Sequence, residues 1–238
     1  MSDYIKLFNT EQDQTTFRNG SSYVQPHVSC VAGGKNLLYN KFNTNGHDYV
    51  DLGLPSGTLW ATCNIGANSP EEYGDYFTWG GTSPYGLEEK YPYFDDDWNY
   101  IKYCTNDGLK ELELTDDVAR VVMGGRWSMP TPLEVYELID NTTSSWETLN
   151  MVYGKRFTGS NGNSIFIPAA GIYDDSDSLQ YDSDYCYLWT SGRDDYEEYG
   201  CSFLCSATSA YTWTNHRWNS MSVRGVIVPE QNTISEQL

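Results

Sequence analysis

The chain has 238 residues and a formal net charge of −19, and its 39% hydrophobic content includes 20 Tyr and 8 Trp. This length can bury a sizeable core in one large domain. The charge would repel the phosphates of a nucleic acid and an anionic membrane surface, so both kinds of partner are excluded. No run approaches the ~20 apolar residues that span a bilayer, so no membrane insertion is expected.

The negative charge is concentrated in two segments. Residues 71–117 carry 13 acidic residues against 3 basic ones, and residues 171–200 carry 9 against 1. Their aspartate runs could furnish oxygen ligands for calcium. Because the central Gly and terminal Glu of an EF-hand loop are missing, solvated acidic loops are the favoured interpretation, and no cofactor or metal is predicted.

The chain divides into a small N-terminal segment, a main domain and a short tail. Residues 1–46 are polar and poor in core-forming side chains, so we interpret them as an attachment or oligomerisation segment. The main domain is predicted over 47–230, and residues 231–238 form the tail. No basic region followed by an apolar run opens the chain, so a secretory signal is not expected.

The main domain opens with short strands, because aromatic and β-branched residues alternate with turn-forming Gly and Pro. Strands are predicted at Tyr49–Leu52, Thr58–Thr62 and 75–80, and residues 81–113 are predicted as a long loop. Four tryptophans in ordered blocks are predicted to lie in the core: Trp60, Trp79, Trp127 and Trp189.

Two helices are predicted after this loop. Thr115 caps the first, and Gly124-Gly125 ends it. Thr131 and Glu134 form a capping box for the second, with Pro132 at its first position. In the first helix Val118, Val121 and Val122 would form the inward stripe. In the second helix Leu133, Tyr136 and Ile139 would share a face.

From residue 152 onward the pattern is that of β-strands. Two runs flank the turn Ser160-Asn161-Gly162 and predict a hairpin. Two helices and several short antiparallel strands with long irregular loops give an α+β fold class. The predicted strands of this half are 152–159, 164–171, 187–191, 202–205 and 222–228.

The stretch 171–221 is typical of a displayed surface rather than of a core. It is crowded with Tyr, Trp, Asp, Ser and Asn, and two regular apolar runs bracket it. Tyr and Trp give a large contact area at low rotamer cost, whereas Ser and Asn give adaptable hydrogen bonds. The sequence therefore predicts a ligand-binding surface within about 173–221.

Six blocks appear in one order along the chain: DLGLPSGTLWATCNIG (51–66), GDYFTWGG (74–81), RWSMPTPLEVYEL (126–138), FIPAAG (166–171), YLWTSG (187–192) and SVRGVI (222–227). They resemble the bacterial paralogous surface domain related to formylglycine-generating proteins. The resemblance covers about 47–228 and implies a C-type lectin fold.

The end of this region resembles the variable proteins of diversity-generating retroelements, in which adenine-directed mutagenesis rewrites selected codons. Trp213 cannot arise from a template AAC codon and would be fixed or differently templated. Nine residues fit the products of an AAC codon: Asp194, Asp195, Tyr196, Ser202, Tyr211, Asn215, His216, Arg217 and Asn219.

The predicted ligand-binding residues combine these nine with neighbouring aromatic and acidic side chains. Partial burial in loops is the alternative to ligand contact for the aromatic members. Arg217, beside Trp213 and Trp218, is either a contact anchor or the partner of a local Asp. The full set is Tyr173, Asp175, Asp194, Asp195, Tyr196, Tyr199, Ser202, Tyr211, Trp213, Asn215, His216, Arg217 and Asn219.

The resemblance implies a ligand-binding protein without enzymatic activity. The N-terminal segment is similar to segments of structural proteins from phages of gut bacteria, which implies a place on the phage tail. The implied partners are virion tail proteins and a bacterial cell-surface protein or glycan, and a homotrimer suits tail display. The alternative is a fixed adhesin or structural protein of a bacterial cell surface. Under diversification, exchanging residues 193–219 should change the target and leave the melting temperature nearly unchanged.

The cysteines allow one enzymatic alternative, formylglycine-type oxidation, which needs two reactive thiols on a copper ion. Cys201 and Cys205 are the only close pair of the six, and their setting does not match such enzymes. Most cysteines are interpreted as free thiols. No G-x-S-x-G motif supports triad hydrolysis, and nothing selects a carboxylate pair for glycoside cleavage.

Overall fold

The computed structural model describes residues 41–86, 93–95, 97, 99–174 and 178–229, and these residues are mostly β. The strands are β1 (Lys41–Thr44), β2 (His47–Asp51), β3 (Leu59–Ala61), β4 (Tyr76–Thr78), β5 (Thr142–Leu149), β6 (Val152–Gly159), β7 (Ser164–Pro168), β8 (Ile172–Tyr173), β9 (Leu179–Gln180), β10 (Cys186–Arg193), β11 (Tyr199–Cys205), β12 (Ala210–His216), β13 (Ser220–Ser222) and β14 (Val226–Ile227).

The predicted α+β class with a C-type lectin fold is wrong. Strands account for 39% of the structure and helices for 9%, and the sheets are curled, so the fold is β-rich. The excess of strand comes mainly from two segments that the sequence analysis left outside its elements, β5 and β12. In β12 the aromatic residues Tyr211 and Trp213 alternate with threonines, which is the period of a half-exposed strand, whereas β5 is mostly polar and shows no such alternation.

A four-stranded antiparallel sheet joins the two ends of the described chain. Its order is β1-β2-β3-β14, so the last strand pairs with β3 through Val226 and Trp60. The predicted domain boundary between residues 46 and 47 falls beside the β1–β2 turn, where Asn45 and Gly46 adopt positive φ. The predicted attachment segment up to residue 40 lies outside the described residues.

The other two sheets are formed mainly by the C-terminal half of the chain. The hairpin predicted around residues 160–162 is confirmed as β6 and β7, and β5 pairs with the other side of β6. The largest sheet has the order β12-β11-β10-β13-β8-β9, with β4 also paired to β13. Within the described chain, β12 therefore forms one edge of this sheet.

The second predicted helix is present as α1 (Pro132–Asp140), and its capping box is confirmed. Thr131 accepts a hydrogen bond from the backbone of Glu134, whose carboxylate accepts one from the backbone of Thr131. Of the three residues expected to share a face, Leu133 is 77% exposed and Tyr136 is half-exposed, whereas Ile139 is partly buried against the core. A cap fixes where a helix begins, but β11 and β12 decide which side is covered. They cover Val135 and Leu138.

The first predicted helix is reduced to a π-helical turn over Ala119–Met123. The side chains of Ala119 and Met123 are buried, whereas Val121 and Val122 are half-exposed. A π-helical turn advances more than four residues per turn, so the inward stripe expected from α-helical spacing does not hold here. Val118, just before the turn, is buried as predicted.

The core consists of two clusters of buried apolar side chains. The first is centred on Trp79, Trp127 and Trp189, and the second on Trp60 and Phe157 together with the inner face of α1. All four tryptophans are fully buried, which confirms their predicted place in the core. No helix in the described part of the chain combines the length and apolar character needed to cross a bilayer.

A buried arginine ties the N-terminal strands to the rest of the core. The Arg224 guanidinium donates to the carbonyls of Ala61, Thr62 and Phe166 and to the side-chain oxygen of Asn64. All four partners are neutral oxygens, and burial lowers the pKa of Arg224 to about 10. The guanidinium thus takes the place of water for four acceptors, three of them within residues 61–64 and one on β7.

We expect Gly159→Ala to destabilise the fold more than Gly162→Ala in the same hairpin. A Cβ at Gly159 would lie 1.8 Å from the Leu52 carbonyl oxygen, whereas a Cβ at Gly162 meets open space. The first change should cost about 3 kcal/mol or more through the overlap. The second should cost about 1 kcal/mol, because Gly162 has a left-handed backbone. Urea unfolding measures both, and equal costs would contradict the packing of this hairpin against β2.

Candidate recognition surface

The edge strand β12 carries two exposed aromatic side chains of the predicted site, Tyr211 and Trp213. Tyr211, Trp213 and Asn215 alternate with Thr212 and Thr214, so the two sets point to opposite faces of the sheet. Helix α1 packs on the Thr212 side, where the Thr212 hydroxyl donates to the Tyr136 hydroxyl. The Tyr211 side therefore faces away from the helix.

Pairing across the sheet sets these side chains in rows with those of β10 and β11. Tyr211 lies opposite Leu204, which lies opposite Tyr187. Trp213 lies in the next row, opposite Ser202. Tyr211 is 38% exposed and Trp213 is 56% exposed, whereas their neighbours on β11, Leu204 and Ser202, are buried and Tyr187 on β10 is half-buried. Exposure is thus greatest at the sheet edge.

Five aromatic rings on β10, β12 and the turn before β10 form what we call the aromatic strip: Tyr181, Tyr185, Tyr187, Tyr211 and Trp213. The ring centroids of Tyr211 and Trp213 are 5.9 Å apart, those of Tyr185 and Tyr187 are 6.1 Å apart, and those of Tyr181 and Tyr185 are 5.9 Å apart. Burial, and then the nearby phenols of Tyr181, Tyr185 and Tyr211, raise the pKa of Tyr187 to about 12. The three tyrosines in and before β10 therefore lie near the two aromatic residues of β12.

Only two strip members, Tyr211 and Trp213, were among the predicted ligand-binding residues. The signal for the other three was present in the sequence, because Tyr181, Tyr185 and Tyr187 lie in or beside a strand of alternating character. The strip becomes visible only when β10 and β12 are placed on either side of β11, a pairing that sequence periodicity does not give.

The turn between β10 and β11 presents the predicted residues Asp194, Asp195 and Tyr196. Tyr196 is 70% exposed, and its backbone N–H donates to the Asp194 carboxylate. The Lys110 ammonium lies 2.5 Å from the Asp195 carboxylate, and its hydrogen bond lowers the pKa of Asp195. Both side chains are well exposed, so this ion pair contributes little to stability.

The same turn is fastened to the loop that precedes the π-helical turn. The Glu197 carboxylate accepts a hydrogen bond from the backbone N–H of Thr105 at 2.7 Å. The Arg193 guanidinium, which is nearly buried, donates to the carbonyls of Leu109 and Asp194. The base of the turn is therefore held by hydrogen bonds, and only its tip is free to contact another molecule.

Arg217 is not a ligand contact, which corrects its place among the predicted site residues. Its side chain is fully buried. The guanidinium donates to the backbone carbonyls of Lys102, Tyr103 and Glu197 at 3.0–3.1 Å. The acceptors of these three hydrogen bonds are backbone carbonyls, whereas the alternative foreseen for Arg217 was a local Asp. The sequence does not reveal this, because the partners lie up to 115 residues away.

Four aromatic rings enclose the same guanidinium. Its carbon lies over the rings of Trp79, Tyr93, Tyr100 and Tyr103, at 4.7–5.9 Å from their centroids. Ring faces carry partial negative charge and attract a cation, most strongly where water is absent. Burial raises the pKa of Tyr100 to about 12, although the positive charge of Arg217 acts in the opposite direction.

Ser202 and Asn219 are also buried and do not form part of a contact surface, so their prediction as ligand contacts is corrected. Ser202 lies in the interior of the sheet, where its hydroxyl accepts a hydrogen bond from the Asn215 amide at 2.9 Å. It donates in turn to the Trp213 carbonyl. Ser202 therefore positions two exposed residues of β12 instead of meeting a ligand itself.

The remaining predicted residues fall into separate places. Tyr199, His216 and Trp218 form a half-buried stack, with His216 centroids 4.6 Å from Tyr199 and 4.2 Å from Trp218. Tyr173 stacks on Tyr85 at 4.4 Å and meets the edge of another tyrosine, so it belongs to a different aromatic group. Asp175 lies outside the described residues.

The cysteine pair of the enzymatic alternative is too far apart to share a copper ion. Cys201 and Cys205 are four positions apart on β11, which is about 13 Å in an extended strand. Burial raises the pKa of the Cys201 thiol to about 11, the direction opposite to that of a reactive thiol. In the described chain, no three His, Cys, Asp or Glu side chains form a metal-binding group.

A concave site of about 340 Å³ exists elsewhere, between the β1–β2 turn and the segment after β3. Its lining includes His47, Cys63 and Asn64 and the half-exposed Val122. None of the predicted ligand-binding residues lines it.

No known protein family, curated protein or solved structure matches this chain.

We expect Arg217→Met to lower the free energy of unfolding by about 3 kcal/mol or more, because three buried carbonyls lose their donor and four rings lose a cation. Tyr196→Ala, at an exposed tip, should change it by less than about 0.5 kcal/mol. Urea unfolding followed by circular dichroism measures both. If the two variants are equally stable, Arg217 does not hold this surface together. The expectation that residues 193–219 can be exchanged without loss of stability is revised accordingly.

Proposed function

We propose that this protein binds a target on a bacterial cell through the aromatic strip and the tip of the β10–β11 turn, and that it is not an enzyme. The observation that carries the proposal is the exposure of Tyr211 and Trp213 on an edge strand whose inner neighbours are fully buried. Large aromatic side chains that stay exposed on a rigid frame are the groups that dominate binding energy at protein interfaces.

The residues beneath this surface are held rigidly, which lowers the entropic cost of binding compared with a loosely ordered surface. Asn215 is held by Ser202, and the turn is held through Arg193 and Glu197, so little conformational freedom remains to be lost when a target binds. Rings with two rotatable bonds add contact area at low entropic cost. The surface is therefore suited to selection by shape and hydrogen bonding.

The proposal includes diversification of this surface, as in the variable proteins of retroelements. Of the nine residues that fit an AAC template codon, three are buried, and these would carry a stability cost if varied. The variable set is accordingly restricted to six half-buried or exposed residues: Asp194, Asp195, Tyr196, Tyr211, Asn215 and His216. A phage tail and a bacterial surface are the two settings proposed, and a fixed adhesin is the alternative.

The labelled full-length protein should bind some strains of a panel of gut bacteria and not others, as measured by flow cytometry. Tyr211→Ala combined with Trp213→Ala should lower this binding at least about tenfold, because the central aromatic contacts are lost. Met151→Ala combined with Tyr153→Ala is the matched control, since both residues are exposed on the β5–β6 hairpin. Equal losses in the two variants, at unchanged melting temperature, would contradict the proposal.

The DNA around the coding sequence should hold a reverse-transcriptase gene and a template copy of the C-terminal codons. Differences between the two copies should fall at template adenines in codons of the six half-buried or exposed positions. The codons of Ser202 and Arg217 should be identical in both copies, because their side chains are buried. Sequencing checks this. The absence of a template would favour the fixed adhesin.

A further inference from the structure

We infer that the partner of the aromatic strip is a basic polypeptide surface, one that presents Lys or Arg next to apolar side chains. This inference rests on the proposed function and specifies the chemistry of its target. It is argued from the distribution of charge around the strip, from the turn beside Tyr181, and from the way this chain holds a cation in its own interior.

All cationic side chains of the described segment 178–229 are buried. They are Arg193, Arg217 and Arg224, with exposures of 8%, 0% and 0%. Their guanidinium groups donate to backbone carbonyls and one amide oxygen inside the protein. Lys155, beneath the β11–β12 turn, is also buried and donates to the carbonyls of Ser206 and Ser209. These four cations are therefore not presented to a partner.

The acidic side chains of the same segment are all half-buried or exposed. Lys110 pairs with one of them, Asp195, and is exposed beside the turn. Asp182 and Asp184 lie in the turn that carries Tyr181 of the strip, whereas the other four acidic residues lie in the β10–β11 turn, at the other end of β10. The strip therefore has two exposed carboxylates beside it. The six acidic residues of the segment are Asp182, Asp184, Asp194, Asp195, Glu197 and Glu198.

The turn between β9 and β10 places two of these carboxylates beside strip members. Tyr181 and Ser183 adopt positive φ, and the backbone N–H of Asp184 donates to the Tyr181 carbonyl. Asp182 and Asp184 are both exposed and alternate in sequence with Tyr181 and with Tyr185 after it. A left-handed backbone at non-glycine residues is uncommon, so this compact turn is a specific feature of the chain.

The aromatic strip and the carboxylates beside it can both bind a Lys or Arg side chain. The ring faces attract the cation, the carboxylates pair with it, and the apolar stem of the side chain covers the rings. The chain already uses rings in this way around Arg217. Anionic glycans and phosphates would be repelled, and a neutral sugar would gain nothing from the carboxylates.

Selection of a phage-displayed random peptide library on the immobilised full-length protein tests this inference. The wild type should enrich peptides that combine positive charge with apolar residues. Tyr211→Ala with Trp213→Ala keeps the net charge and should lose about tenfold or more of the enrichment. Asp182→Asn with Asp184→Asn keeps the strip and should shift the enriched peptides toward lower positive charge.

A charge-matched control separates local from overall electrostatics. Glu72→Gln with Asp140→Asn removes two exposed carboxylates, one on the loop before β4 and one at the end of α1. It should leave the enriched sequences unchanged. Raising the salt concentration should weaken wild-type enrichment, because exposed charges are screened beyond about 10 Å at 0.1 M.

Several outcomes would overturn the inference. One is enrichment of neutral or acidic peptides, and another is equal enrichment on the strip variant, which would show that net charge alone attracts basic peptides. In a third outcome no peptide is enriched, while neutral glycans on an array bind the wild type and not the variant that lacks Tyr211 and Trp213. That last result would leave the proposed function standing, since cell binding would still depend on the strip.

Discussion

The recognition surface depends on a buried cation. Arg217 lies between β12 and the chain before the π-helical turn, where it donates to three backbone carbonyls and lies over four ring faces. Because those carbonyls belong to Lys102, Tyr103 and Glu197, one side chain fixes both the loop under the turn and the turn itself. Removal of the guanidinium would leave three buried carbonyls without a hydrogen-bond donor. The resulting loss of folding stability is larger than the stability that an exposed ion pair contributes.

Arg224 repeats this arrangement at the other end of the core, where it joins β3 to β7 through carbonyl partners. A chain with a net charge of −19 thus buries these two arginines among neutral oxygens, although other cations such as Lys102 and Lys110 pair with carboxylates nearer the surface. This placement also affects the surface charge. Because the buried arginines bind carbonyl oxygens, they do not neutralise carboxylates on the surface, and those carboxylates can attract a cationic partner. The interior and the proposed target preference therefore have a common origin in where the arginines lie.

The sequence predicts the parts of this structure whose signals are local. The capping box at Thr131 and the hairpin turn at 160–162 are short-range patterns, and both are confirmed. Strand pairing is not local, so the α+β class was wrong and β12 was not recognised. Arg217 was misplaced for the same reason, since an arginine among tyrosines and aspartates resembles a contact residue until its distant carbonyl partners are known.

The geometry of β12 explains how a surface of this kind can vary without loss of the fold. Backbone pairing with β11 does not depend on which side chain occupies an outward position, so residues 211 and 215 tolerate change, whereas inward positions do not. Trp213 lies between them on the same face and cannot be produced from the template codon. Under the proposed function it is a constant aromatic anchor with exchangeable neighbours. At protein interfaces a few central residues, often aromatic, supply most of the binding energy. Trp213 would take that role here, and the exchangeable residues around it would determine which target is bound.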